Sequence, residues 1–210
     1  MWQAFVALPF MEKGRLEAFS DGVIAVIITI MVLELKAPHG KGLAALQPLL
    51  PAFLTYVLSF VFIGIYWNNH HHLLHAAARV GGAVLWANLH LLFWLSLVPF
   101  FTAWVGENPR ASIPTASYGA VFLMAGVAWL LLQRALLKRS GTDSALARAI
   151  GRDAKGKLSA ALYITGVALA FVRAWMAQVL YVLVALMWLV PDRRIERMID
   201  SGHNSQRPRS

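Results

Sequence analysis

The stretch RLEAFSDGVIAVIITIMVLELKAP, residues 15–38, decides the fold. Leu16 to Leu35 is a run of twenty mostly apolar residues, about 30 Å long as a helix, which matches the hydrocarbon core of a bilayer. Ala37-Pro38 and the glycines of HGKG end it. Arg15, Glu17 and Asp21 crowd its start, and Asp21 lies inside the apolar run. An aspartate at the bilayer centre costs about 2.5–3.5 kcal/mol on insertion scales, so the rest of the chain has to supply a reason for it.

The rest of the chain is of the same kind. Of 210 residues, 59% are hydrophobic and only 14% charged, with eight Trp and eleven Phe, too little charge for the exterior of a soluble domain of this size. Apolar runs of spanning length recur, which makes the chain one all-α integral membrane domain in a lipid bilayer. Cysteine is absent, so disulfides, thiolate metal sites and Cys nucleophiles are excluded. A net charge of +9 fits either nucleic acid or a membrane surface. Its distribution selects the membrane, and no nucleic-acid partner is expected. The opening MWQAFVALPFMEKGR puts its charges after its apolar residues, so no cleaved secretory signal is expected.

Breakers divide the apolar sequence into six spans. The second opens with Pro48 and Pro51 and runs to about Asn69, proline being tolerated in a first helical turn. The third runs from about Ala83 to Val105 with a kink at Pro99, and the fourth from about Pro114 to Gln133. A basic connector fills 134–157. Residues 158–190 would make one helix of about 50 Å, too long for the hydrocarbon core, so they read as a hairpin turning near Arg173. With six spans, fifteen Lys and Arg lie on one side and only Lys36, Lys41, Arg110 and Arg173 on the other. The positive-inside rule then puts both termini in the cytoplasm of a cell-membrane protein. The organisation expected is a cytoplasmic segment 1–14, a six-helix domain 15–190 and a basic cytoplasmic tail 191–210.

This topology brings polar residues to one depth. Asp21 lies five residues into the first span, Asn68 to His72 and His75 arrive at the inner end of the second, and Asn88 and His90 start the third. Buried polar groups in hydrocarbon need partners, so Ser20, Asp21, the histidines and Asn88 form either a packing staple or something more. A second pattern lies along the first span. Arg15, Phe19, Gly22, Val26, Thr29 and Leu33 step by 4, 3, 4, 3 and 4 on one a/d seam. Such a seam marks either ordinary packing or, if several copies surround an axis, a pore with apolar constrictions and one hydroxyl ring at Thr29.

The run Arg15-x-x-x-Phe19-Ser20-Asp21-x-x-x-Ala25, continued by VLELKAP, resembles the signature of the endosomal and lysosomal potassium channels, the transmembrane protein 175 family. Tyr66-Trp67-Asn68-Asn69-His70-His71, Trp86-Ala87-Asn88 and Leu97-Val98-Pro99-Phe100 followed by Gly106-Glu107 match in order and spacing. The resemblance is to short bacterial members with a single six-helix unit, and it implies a homotetramer that conducts potassium through a pore lined by the first helix, with no cofactor. It implies pore rings at Val26, Thr29 and Leu33, with Thr29 the selectivity candidate. Arg15, Phe19, Ser20 and Asp21, with Trp67, His70, His71 and Asn88, would form the structural motif.

Two rival readings remain at this level. A secondary transporter would use Asp21 and the histidines to relay protons or hold a coupling ion near the midplane. A membrane metalloenzyme or haem protein would use His71 and His75, spaced i, i+4, with Asp21 or His90. No nucleophile with a positioned base accompanies them, and no enzyme is expected. Glu34 reads as a solvated helix end neutralised by Lys36. Trp2, Trp67, Trp104, Trp175 and Trp188 read as interface belts.

Overall fold

A computed structural model describes residues 13–75, 77, 80–140 and 154–189, without the side chains of 139 and 140. The expected 1–14 segment, most of it, and the tail 191–210, with Trp2, lie outside the described residues, as does the middle of the basic connector. Among the described residues every regular element is a helix. In order they are α1 (Lys13–Leu33), a 3-10 helix (Leu43–Leu49), α2 (Leu50–His75), α3 (Gly82–Ser96), α4 (Val98–Glu107), α5 (Ser112–Ser140), α6 (Ala154–Ala170) and α7 (Ala174–Leu189). Lys13–Leu33, Leu43–His75, Gly82–Glu107 and Ser112–Lys138 are each long and apolar enough to cross a membrane, and Ala174–Leu189 is a shorter apolar helix. With α3 and α4 forming one broken rod and α6–α7 a hairpin, the six-rod pattern holds.

The boundaries move for local reasons. The third rod breaks at Leu97 rather than at Pro99, because a proline ring clashes with the carbonyl four residues back and lacks the N–H for that bond. Leu97 caps both helices, and Pro99 falls in the first turn of α4, where it is tolerated. Pro48 lies inside the 3-10 helix and Pro51 in the first turn of α2. Helix α2 runs on past Asn69 to His75, whose carbonyl accepts a hydrogen bond from Lys13 Nζ at 2.7 Å. Helix α5 continues past Gln133 to Ser140, so Arg134 and Lys138 project from a helix rather than a loop. The last hairpin turns over 171–173, where Arg173 N–H bonds the Leu169 carbonyl at 2.8 Å.

Helix α5 packs on α3, α4, α6 and α7, while α1 lies to one side against α2, α3 and α4. The α6–α7 hairpin is closed by Tyr181, which is 1% exposed and sits against Gly119 and Gly166. A Cβ at Gly166 would lie 2.6 Å from the Tyr181 ring, and a methyl there has to displace the wedge. Gly166→Ala should therefore lower the thermal midpoint of the detergent-purified protein, at a cost of about 1–3 kcal/mol for overpacking. An unchanged midpoint would mean that Tyr181 moves freely.

Candidate functional site

Ser20 on α1, His70 on α2 and Asn88 on α3 lie five to seven residues from the helix ends that share one side of the bundle, about 8–11 Å in at 1.5 Å per residue. All three are buried. Asn88 Nδ2 donates to Ser20 Oγ at 2.9 Å, and Ser20 Oγ donates to the Leu16 carbonyl at 2.8 Å. Asn88 Oδ1 lies 2.6 Å from His70 Nε2. Since the oxygen can only accept, the network assigns the proton to Nε2 of the imidazole. Three helices are thus tied by one chain of bonds, each buried group meeting the partner that hydrocarbon denies it.

Asp21 stands beside this chain and not in it. Successive helical residues point about 100° apart, so the helix that turns Ser20 inward leaves Asp21 half-buried at the edge. Its Oδ1 accepts from Trp67 Nε1 at 3.0 Å, and Trp67 is 46% exposed. His71 is exposed and stacks between Trp67 and His75, with centroids 6.4 and 6.0 Å away. His90 does not join the layer, because Trp94 Nε1, one turn along the same helix, donates to its Nε2 at 2.9 Å. Among the described residues no three His, Asp or Glu side chains converge as a metal-ion site, so the expected partnership of His71 and His75 with Asp21 or His90 does not form.

The seam on α1 turns outward. Leu16, Ser20, Ile24, Ile27 and Met31 are buried against the other helices, whereas Arg15, Phe19, Gly22, Val26, Thr29 and Leu33 are all exposed. Phe19 is 51%, Val26 54% and Leu33 79% exposed. Packing within the chain therefore does not account for the seam. Thr29 Oγ1 donates to the Val26 carbonyl at 2.8 Å, which occupies its proton and leaves its lone pairs outward. Alongside, an open groove between α1 and the α3–α4 joint is lined by Gly22, Val26, Ile30, Ser96, Pro99 and Phe100. A Cβ at Gly22 would meet nothing within 4 Å, which leaves room there for another surface to approach.

At the other end of α1, Lys36 Nζ donates to Glu107 Oε1 at 2.5 Å and ties the loop after α1 to the end of α4. That bond and the carboxylate charge hold the ammonium above its ordinary pKa. The direct partner of Lys36 is therefore Glu107 and not the neighbouring Glu34. Sequence reasoning also missed a hydroxyl cluster deep in the subunit, where Ser59 Oγ lies 2.7 Å from Thr102 Oγ1 and 2.9 Å from the Tyr118 hydroxyl. Lone hydroxyls far apart in sequence carry no periodic signal. Trp188 reaches inward, donating from Nε1 to Ser159 Oγ at 2.8 Å, so its role includes packing as well as any belt.

Known proteins resemble this chain in sequence and fold. The family model described as endosomal/lysosomal potassium channel TMEM175 matches residues 15–99. A potassium channel of Chryseobacterium sp. strain P1-3 is 51% identical over 189 residues, covering 90% of this chain and 98% of that protein. A potassium channel of Streptomyces collinus is 38% identical over 189 residues, covering 83% of this chain and 90% of that protein. The crystal structure of a lysosomal potassium-selective channel TMEM175 homolog from Chamaesiphon minutus superposes with a TM-score of 0.73 at 33% identity, over 85% of this chain and 96% of that one.

Proposed function

The chain belongs to the TMEM175 family of endosomal/lysosomal potassium channels, and we propose that it is a potassium-permeable channel of four copies, with α1 of each lining a central pore. The observation that carries this reading is the outward seam on α1. A face bearing Arg15, Gly22 and Thr29 is a poor surface to offer lipid tails, which reward apolar bulk and leave polar groups unpaired. Repeated around an axis, the same residues stack in a useful order. Val26 and Leu33 become apolar rings that can close by dewetting, with a ring of Thr29 oxygens between them. The Ser20–Asn88–His70 chain then fixes the rotation of α1 about its own axis, on which the seam depends. Arg15, Phe19, Asp21, Trp67 and His71 lie at the rim of that motif, where a neighbouring subunit can complete their contacts.

In this reading the channel domain spans 15–190 in a cell membrane, with 1–14 and 191–210 in the cytoplasm, an orientation that the basic asymmetry supports. A transporter would need Asp21 and the histidines at the midplane. Asp21 instead bonds a half-exposed indole near one end of the bundle, which favours a structural role.

Proteoliposomes test the proposal. Potassium current should exceed carrier turnover, reverse near the potassium equilibrium potential, and come from a preparation with the mass of four subunits. Saturable flux coupled to a second ion, or a monomeric mass, would defeat it. Selectivity gives a narrower test. Thr29→Val keeps the shape of the side chain and removes its oxygen, so the preference for potassium over sodium should fall while assembly survives. A tenfold discrimination is only about 1.4 kcal/mol, within reach of hydroxyl interactions worth roughly 0.5–1.5 kcal/mol each. A bi-ionic reversal potential equal to that of the unmodified protein would make Thr29 a packing residue.

A further inference from the structure

The far end of α1 carries a carboxylate without a counterion. By the six-rod order, Glu34 and Glu107 are the two of the chain's ten Asp and Glu that fall at the helix ends opposite the Ser20–Asn88–His70 layer. Glu107 is taken by Lys36. Among the described residues Glu34 makes no ion pair. Its backbone still follows the helix, the N–H bonding the Ile30 carbonyl at 3.3 Å, and its side chain lines the open groove with Gly22, Val26 and Ile30. It is exposed and lies one residue beyond Leu33, at the same end of the outward seam.

Lys36 would neutralise Glu34 if it were free. Two residues further along, its ammonium is within electrostatic reach of that carboxylate, yet its bond goes to Glu107 at the end of α4. That end is firmly placed on α2, because a Cβ at Gly106 would lie 2.8 Å from Ala52 Cα. The other cations on this side are Lys41, Arg110 and Arg173, all exposed, and none pairs with Glu34. Lys41 lies in the loop that leads to the 3-10 helix. Arg110 and Arg173 lie in the turns before α5 and α7, whereas α1 packs on α2, α3 and α4.

We propose that Glu34 draws potassium to this mouth of the pore and so sets the conductance, and that Glu107 preserves its charge by holding Lys36 aside. The inference rests on the reading of α1 as the pore helix. Acidic side chains around a pore attract cations, and low-dielectric walls focus their field. In a pore of four copies, four Glu34 carboxylates would stand just beyond the Leu33 side chains. A lysine released onto Glu34 would cancel that charge, which the contact with Glu107 prevents. Such an effect acts through space, so salt screens it: the Debye length falls from about 30 Å at 0.01 M to about 3 Å at 1 M.

The test is the unitary potassium conductance of the full-length protein in planar bilayers, in about 0.01 M and about 1 M KCl. Glu34→Gln should lower the low-salt conductance about threefold, below the roughly 10–10³ of enclosed clefts because the mouth is open, and leave the high-salt value unchanged. Glu34→Asp keeps the charge and should match the unmodified protein. Glu107→Gln should lower the low-salt conductance about twofold through the freed lysine, and adding Lys36→Gln should restore it. A merely structural contact would respond neither to salt nor to that second change. Glu34, Lys36 and Glu107 are all exposed, so the fold should survive each substitution. A low-salt conductance untouched by Glu34→Gln, or a loss that persists in 1 M salt, would overturn the proposal. A Glu107→Gln loss that Lys36→Gln does not reverse would overturn the part given to Glu107. Unitary current absent from the unmodified protein would defeat the channel reading itself, which keeps the two failures apart.

Discussion

Asn88→Leu should lower the thermal midpoint of the purified protein more than Asp21→Ala does. Leucine matches asparagine in size, so the change creates little cavity and isolates the polar effect. Asn88 is fully buried and serves two partners at once. Without it the His70 Nε2 proton has no acceptor in the layer, and the Ser20 hydroxyl keeps only its bond to the Leu16 carbonyl. Orphaning the buried His70 donor costs about 1–3 kcal/mol and losing the Ser20 bond about 0.5–1.5 kcal/mol, which sums to roughly 1.5–4.5 kcal/mol. Interhelical bonds within bilayers average nearer 0.6 kcal/mol because partners are also found in the unfolded state, so the loss falls in the lower half of that span. Asp21→Ala removes one bond to a half-exposed indole, and an exposed contact of this kind is worth about 1 kcal/mol or less. Thermal denaturation in detergent, with the oligomeric mass of each variant, would decide. Equal midpoints for the two variants would mean that Asp21, completed by a neighbouring subunit, matters as much as the buried chain.

Ala37-Pro38, Pro99 and Arg173 interrupt long apolar runs, and an interruption of that kind has few meanings in a bilayer, so the six rods and their order are legible. Depth is legible too, because counting residues inward from helix ends brings Ser20, His70 and Asn88 to one level. Rotation is harder. Asp21 draws attention because its charge is costly, yet a turn of one residue hands the interior to Ser20. His90 fails for the same reason, since Trp94 on its own helix satisfies it first. Pairs such as Lys36 with Glu107 and Ser59 with Thr102 depend on which rods become neighbours, and neither charge nor period encodes that.

Leu33→Ala and Val26→Asn should each raise the resting cation current, and this is the largest functional effect expected of single changes on α1. Both side chains are more than half exposed on the outward seam, at 79% and 54%, and stand seven residues apart, about 10 Å along a helix. As rings around an axis they would bound the Thr29 oxygens from both sides. A narrow apolar ring expels water and presents a permeant ion with a dehydration barrier, whereas a wider or polar ring stays wet. Leu33→Ala would widen a ring at the end of α1, and Val26→Asn would wet an inner one at nearly constant width. A barrier lowered by only ~1.4 kcal/mol raises passage tenfold, and in a pore of four copies four identical changes would act on one constriction. Neither residue is buried in the subunit, so the fold should survive and the thermal midpoint serves as the control. If the current of both variants equals that of the unmodified protein at an unchanged oligomeric mass, Val26 and Leu33 lie outside the conduction path and the seam faces a neighbouring copy or lipid instead. If only Leu33→Ala raises the current, the constriction is at the outer mouth and Val26 is already wide enough to stay wet.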